Sequence, residues 1–294
     1  MTTTTTPTPG ALAPATGRNL PERPSHSRIS WAVRDALSMM GRNVRRLSRA
    51  PDQLVFTLIS PIMFTLLFRY VFGGAIGGLQ GINYVNYLIP GIAVQTAIFS
   101  SGNTGFALAE DRGKGFIDRL RSLPMARSAV LSGRVLADTL SNAVGLIIIV
   151  VVGLAVGYRP HSFGGLVLGL VLLLAFALST SFIFALVGLF ASNVQTVNAA
   201  TFPVIFPLTF ASSAFVPTAT LPSWLRSFAD HQPVSIVINA VRSLTLGDIS
   251  GPVRQQLLAG QSTASLIVQS LIWTAAIALV FGFLAVRRYN STAT

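Results

Sequence analysis

The sequence predicts an all-α polytopic membrane protein with six transmembrane helices, and three observations carry that prediction. Of 294 residues, 51% are hydrophobic and only 10% are charged, less than half of the roughly 25% charge of a soluble domain, and the mean hydropathy is +0.64. Charge-free runs reach membrane length, with residues 70–109 uncharged over 40 positions and residues 160–225 over 66. The charge that remains is skewed, 21 Lys and Arg against 9 Asp and Glu, and it falls between alternate runs. There is no cysteine, so disulfides and thiolate metal sites are excluded, and the three histidines (His26, His161 and His231) are scattered. A soluble enzyme is excluded on these grounds, and neither a catalytic set nor a metal site is expected.

A hydrocarbon core of ~30 Å needs ~20 apolar residues at 1.5 Å each. Cutting the runs at glycine, proline and polar clusters gives spans at about 54–74, 87–108, 136–157, 164–190, 199–217 and 265–286. Arg69 falls near the end of the first, where a guanidinium can reach back to the interface. Within the 66-residue run, Ala191 to Thr196 is the polar stretch placed to make a turn.

Six spans put the N-terminal segment, the 109–135 loop and the C-terminus on one side. They hold eight, six and two Lys or Arg, sixteen in all, against four (Arg159, Arg226, Arg242 and Arg254) on the other side. This bias predicts that both termini are cytoplasmic. It also accounts for the net charge of +12 without nucleic acid as a partner.

Residues 1–27 are rich in Thr and Pro and lack the apolar core of a secretory signal, so they are expected to form a disordered cytoplasmic tail. In residues 28–50, Ile29, Val33, Ala36, Leu37, Met40, Val44 and Leu47 recur at three- and four-residue steps, with Arg34, Arg42, Arg45, Arg46 and Arg49 on the opposite arc and Trp31 as an exception. This predicts a basic amphipathic helix lying at the lipid surface, which is compatible with packing on a partner. Pro51 and Asp52 then turn the chain into the bilayer.

In the loop after the second span, Phe116, Ile117, Leu120 and Leu123 share one face of a short helix bounded by Gly115 and Pro124, while Asp118, Arg119 and Arg121 occupy the other. Spacing alone allows either a helix that docks in a partner's groove or a solvated connector. Glu110, at the foot of span two, is either a simple boundary charge or a carboxylate that pairs with Arg112 or Arg134 to transmit a partner's motion. Between spans five and six, Leu221, Trp224 and Phe228 precede Pro233, which suits a first helical position. Val234, Val237, Ile238, Val241 and Leu244 follow as an apolar face, predicting short helices half-buried at the outer interface.

The run of Glu110, Asp111, Gly115, Phe116, Ile117, Asp118, Arg119, Leu120, Arg121, Ser122, Pro124 and Arg127, followed by Gly133 and Arg134, resembles the permeases of ABC type-2 exporters. The closest likeness is to their daunorubicin-resistance branch. A second likeness lies in Phe228 to Val234 with Arg242 and Gly247. The resemblance extends over about residues 30–288, which makes 28–288 the permease domain and 289–294 a cytoplasmic tail. It implies that residues 30–50 and 113–124 contact a separate ATPase, the latter as a coupling helix, with Glu110, Gly115, Phe116, Ile117, Asp118, Arg119, Leu120 and Pro124 as its coupling residues. It also implies a second permease copy or a paralogue, with spans two and five at the interface between the halves.

The energy source can be argued from the residues themselves. A P-loop needs a lysine followed by Ser or Thr, whereas the single lysine, Lys114, is followed by Gly115. A proton relay needs buried acids or histidines within spans. Asp138 is the one such acid, and the span boundaries put it within about a turn of the cytoplasmic end. No cofactor is therefore expected on this chain, and ATP and Mg belong to a partner ATPase. Candidates for the translocation path are Gln95 and Asn103 on span two and Phe202, Phe206 and Phe210 on span five, where Pro203 and Pro207 can break the helix. A phenylalanine stripe more often faces lipid or packs than contacts substrate.

The resulting expectation is a permease subunit in a bacterial plasma membrane that exports a hydrophobic drug, antibiotic or lipid. Lipid or polysaccharide export is the alternative within the class. A stand-alone six-span channel or secondary carrier, and a membrane scaffold, are the alternatives outside it.

Overall fold

The computed structural model describes residues 41, 51–73, 83–115, 127–247 and 257–291. Among them the fold is all-α. Helix α1 (Pro51–Leu67) runs into a wide π turn at Phe68–Phe72. It is followed by α2 (Tyr84–Gly113), α3 (Arg127–Ala155), α4 (Phe163–Phe190) and α5 (Val194–Phe210). A 3₁₀ turn at Thr218–Thr220 then leads to α6 (Ser223–His231), α7 (Pro233–Leu246) and α8 (Thr263–Ser291). The predicted amphipathic helix over 28–50, with Arg34, Arg42, Arg45 and Arg46, lies outside the described residues apart from Gly41.

Three segments are long and apolar enough to cross a membrane: Leu131–Ala155, Phe163–Phe190 and Thr263–Tyr289, of 25, 28 and 27 residues. They correspond to predicted spans three, four and six. Helix α2 is as long as these but less apolar, because protein rather than lipid surrounds it: most of its residues from Tyr84 to Ala109 are buried. It packs on α3, α4, α5 and α7, while α4 sits at the centre against α2, α3, α7 and α8.

Helices α2 and α4 approach each other closely. A Cβ at Gly188 would fall on the Gly105 carbonyl, and one at Gly105 would come within 2.7 Å of the Phe184 carbonyl oxygen. Small residues allow this approach, and dispersion between the two backbones then holds the helices together where water offers no driving force. The polar groups of α4 are satisfied locally. Ser179 donates to the Phe176 carbonyl and Ser181 to Ala177, while Thr180 meets Ser101 of α2 at 3.0 Å.

The bundle has two distinct ends. At the first, Leu108, Leu131, Ala185, Leu189, Ala285 and Tyr289 cluster, drawing together the ends of α2, α4 and α8 and the start of α3. Arg112, Lys114, Arg134, Arg287 and Arg288 make this the basic end. At the other end the structure departs from expectation, because span five stops at Phe210 instead of reaching residue 217. Ser212 ends the helix by turning its hydroxyl onto the Thr209 carbonyl at 2.5 Å and accepting from the Ala214 amide at 3.1 Å.

The non-helical stretch that follows is buried from Ser212 to Phe215, so its backbone must find protein partners. The Ser213 amide donates to Ser235, and the Ser213 carbonyl accepts from Tyr87 (2.7 Å) and Arg242 (3.0 Å). The Phe215 carbonyl accepts from Tyr84, and the Ala211 carbonyl from Gln232.

Arg242 therefore corrects the sequence reading. Counted as a charge on the outer side, it is fully buried in α7. Its guanidinium donates to the Tyr87 and Ser213 carbonyls and to Asn239 Oδ1 (2.8 Å), and lies 3.6 Å over the Tyr87 ring. Helix α7 starts at Pro233 as predicted, but it is buried on nearly every side rather than on half. The exposed aromatics of this region, Trp224 and Phe228, are on α6.

Two predictions follow from this packing. Arg242→Leu removes the one side chain that links the Tyr87 and Ser213 carbonyls and Asn239 and should cost about 3 kcal/mol; thermal unfolding in detergent would show a large loss, with Arg242→Lys intermediate. Gly188→Ala should destabilise by about 2 kcal/mol through forced separation of α2 and α4, whereas Gly164→Ala, where a Cβ meets open space, should be neutral in the same assay.

Candidate functional site

The basic end is built where α2 stops. Gly115 takes the left-handed conformation (φ +64°), while the Lys114 and Gly115 amides donate to the Glu110 and Arg112 carbonyls at 3.0 Å each. This is a glycine-terminated end of α2; the short helix that Gly115 was read to precede lies outside the described residues. Residues 116–126 lie outside the described residues, and with them Phe116, Ile117, Asp118, Arg119, Leu120 and Pro124.

Glu110 forms an ion pair with Lys114 at 2.5 Å. The two cations considered for it at the level of sequence have other partners. Arg112 Nη1 donates to the Leu189 and Ala191 carbonyls, at 2.9 and 3.3 Å, across the end of α4. Arg134 Nε donates to Asp138 Oδ2 at 3.0 Å. Arg288 of α8 reaches the same end of α4, its guanidinium 4.4 Å over the Phe190 ring. Cations suit this position because the last carbonyls of a helix carry its negative pole.

Asp138 lies well inside its helix. Helix α3 begins at Arg127, eleven residues earlier, because the basic residues before the apolar run continue the helix instead of forming a loop. Its carboxylate is buried and accepts from Thr104 of α2 at 2.6 Å as well as from Arg134. The pair is neutral overall, which lowers the cost of a carboxylate at this depth, and it ties α2 to α3.

The path candidates separate into two groups. Phe202, Phe206 and Phe210 stack along α5, with ring centroids 5.4 and 4.2 Å apart, and all three are exposed. The stack continues from Phe210 to Phe215 (5.2 Å) and from Phe215 to Phe68 (4.4 Å), with Phe64 beside Phe68 on α1. Gln95 and Asn103 are on α2, the first buried and the second half-buried, and are not part of this ring ladder. Helix α5 is buried only at Val197, Thr201 and Thr209. Pro203 and Pro207 each withhold an amide from the helix.

Sequence reasoning missed Phe64, Phe68 and Phe215 as part of the ladder. The four-residue spacing of Phe64 and Phe68 was a usable signal; Phe215 offered none, since its contact depends on a non-helical turn. The anchoring role of Arg112 was also missed.

Comparison with known proteins gives the family. Residues 35–246 match the ABC-2 type transporter model. The chain is 35% identical over 244 residues to a daunorubicin resistance ABC transporter permease protein of Streptomyces coeruleorubidus, covering 83% of this chain and 84% of that protein. It is 26% identical over 251 residues to a Mycobacterium tuberculosis protein named as a probable doxorubicin resistance ABC transporter permease, covering 84% and 85%. The chain therefore belongs to the ABC-2 type transporter family, in agreement with the resemblance carried by the run from Glu110 to Arg127.

Proposed function

We propose that this chain is the permease subunit of an ABC exporter in a bacterial plasma membrane, moving a hydrophobic aromatic drug or antibiotic outward. A separate ATPase pair drives it from the cytoplasmic side. In this reading the six spans are α1 to α5 and α8, both termini are cytoplasmic, and the basic end faces the ATPase. Residues 28–288 act as one permease domain. Phe116, Ile117 and Leu120 seat the coupling helix in an ATPase groove, Asp118 and Arg119 set its charge register, and Pro124 ends it. The basic helix with Arg34, Arg42, Arg45 and Arg46 lies along the inner leaflet beside it.

The observation that carries the reading is the exposed ladder of Phe202, Phe206 and Phe210 on a helix with few contacts to its own bundle. An unpaired aromatic face of this kind suits a second permease copy across a path for a flat apolar solute, since rings stack on aromatic solutes. The names of the relatives, which mention daunorubicin and doxorubicin resistance, support that substrate class. With Asp138 paired to Arg134, the other acids on the described spans, Asp52, Glu110 and Asp111, stand at helix ends, which supports an external source of energy.

Proteoliposomes holding the chain with an ABC ATPase that copurifies with it should accumulate a fluorescent aromatic dye only when ATP is present. Uphill transport by the chain alone on a proton gradient, or ATP hydrolysis by the chain alone, would overturn the proposal. In the coupled system, Phe116→Glu or Leu120→Glu should cut dye transport about tenfold, a loss of the size carried by one buried anchor residue at an interface, while leaving membrane insertion intact. Phe206→Ala should raise the half-saturating dye concentration several-fold by removing one stacking face, with the ATPase rate unchanged.

A further inference from the structure

We propose that Asn142 binds a single water molecule in the seam between α2 and α3, at the middle of the bilayer. The site is independent of the transport reading above, because it rests on helix packing and on unmet polar groups.

The seam can be followed along α3. Leu131, Val135, Asp138, Asn142, Leu146 and Ile149 are all buried and recur at three- and four-residue steps, the spacing of one helix laid along another. Two contacts fix what they face. Thr104 of α2 donates to Asp138, and a Cβ at Gly153 would come 3.0 Å from Ile89 Cδ1. Fifteen residues separate the two positions on α3 and fifteen separate the two on α2, so the helices run antiparallel in one register. Asn142, one turn beyond Asp138, therefore stands level with Ser100, one turn before Thr104. In the apolar segment Leu131–Ala155, Asn142 lies about 17 Å from one end and about 20 Å from the other.

Asn142 is 2% exposed, yet its Nδ2 and its Oδ1 both lack a hydrogen-bond partner among the described residues. Hydroxyl protons at neighbouring levels are committed elsewhere. Ser101 donates to the Ala97 and Ala177 carbonyls, Thr104 to Asp138, and Ser141 to the Ala137 carbonyl. An amide with neither group met is costly at this depth, where lipid offers nothing in exchange.

The chemistry of the partner follows from this pair of groups. It must accept from an N–H and donate to a carbonyl oxygen within the reach of one side chain. A metal cation would serve Oδ1 and oppose the Nδ2 hydrogens, and the neutral pairing of Asp138 with Arg134 one turn away supplies no net negative charge to hold it. An anion fails in the reverse sense, and an apolar solute serves neither group. Water serves both. A buried water typically makes about three hydrogen bonds, and the half-buried Ser100 on the facing stripe offers the third.

Solid-state NMR on the full chain in lipid bilayers, with the asparagine side-chain nitrogens labelled, tests this by passing magnetisation from water protons to the amides. The Asn142 signal is the one lost in Asn142→Leu, and Asn142→Ser identifies it if the leucine variant fails to fold. In the original chain this signal should build up from water. In Ser100→Ala the build-up rate should fall by no more than about twofold, since the amide supplies two of the three bonds. An Asn142 amide that receives nothing from water overturns the inference. So does a build-up that vanishes in Ser100→Ala, because transfer would then run through the serine hydroxyl and the two side chains would touch directly. A signal that shifts with sodium or potassium concentration while receiving nothing from water identifies a bound cation instead, and likewise overturns it.

Discussion

The architecture of one end of this molecule depends on a single constraint: a backbone that leaves helical geometry inside a bundle must have its carbonyls met by protein. The stretch after Phe210 meets it through Tyr84, Tyr87, Gln232 and above all Arg242. A buried guanidinium is costly, and here it is compensated by carbonyl dipoles and the face of the Tyr87 ring rather than by a carboxylate among its hydrogen bonds. The donor count makes the arrangement workable: Arg has five N–H groups in a fixed fork, enough to serve α2, α7 and the turn at once. That fork joins the start of α2, helix α7 and the turn beyond α5 at one point, beside the apolar packing of Tyr84, Tyr87 and Leu88 on Val234, Val237 and Ile238.

The opposite end obeys different physics. There the helices are held by small residues and by cations on helix termini. Gly105 against Gly188, Thr104 with Asp138, and Arg112 with the last carbonyls of α4 all lie along the last three turns of α2. That helix is therefore the common member of each contact. Among the long helices it is also the one most thoroughly enclosed by protein, which accounts for its being the most polar of them.

Much of the fold was legible in the charge pattern. The gaps between charges gave the helices α3, α4 and α8 to within a few residues at their apolar ends, and the polar stretch from Ala191 to Thr196 marked the turn that Asn193 makes. Boundaries failed where composition and geometry part company: α3 begins nine residues before its predicted span because Arg and Ser are good enough helix residues outside the bilayer. Arg242 was misjudged for a related reason. Periodicity reports neighbours three or four positions apart, whereas the partner that makes Arg242 tolerable, Tyr87, is 155 positions away. The site divides in the same manner. The stacking of Phe202, Phe206 and Phe210 was readable from a four-residue repeat. The coupling run was readable only through its likeness to a family, and the grip of Arg112 on α4 was not readable at all, since any basic residue near a loop looks like an orientation signal.

The local satisfaction of α4 bears on how the chain is made. Ser179, Thr180 and Ser181 return their hydroxyls to carbonyls of their own helix, so α4 presents no unmet polar group and can partition from the translocon into lipid by itself. Helix α7 is in the opposite position, since Arg242 has nothing to bind until the start of α2 and the Ser213 turn are already in place. Biogenesis is thereby ordered: the early helices must be laid down first as a mould, and the segment carrying the buried cation is cast into it afterwards.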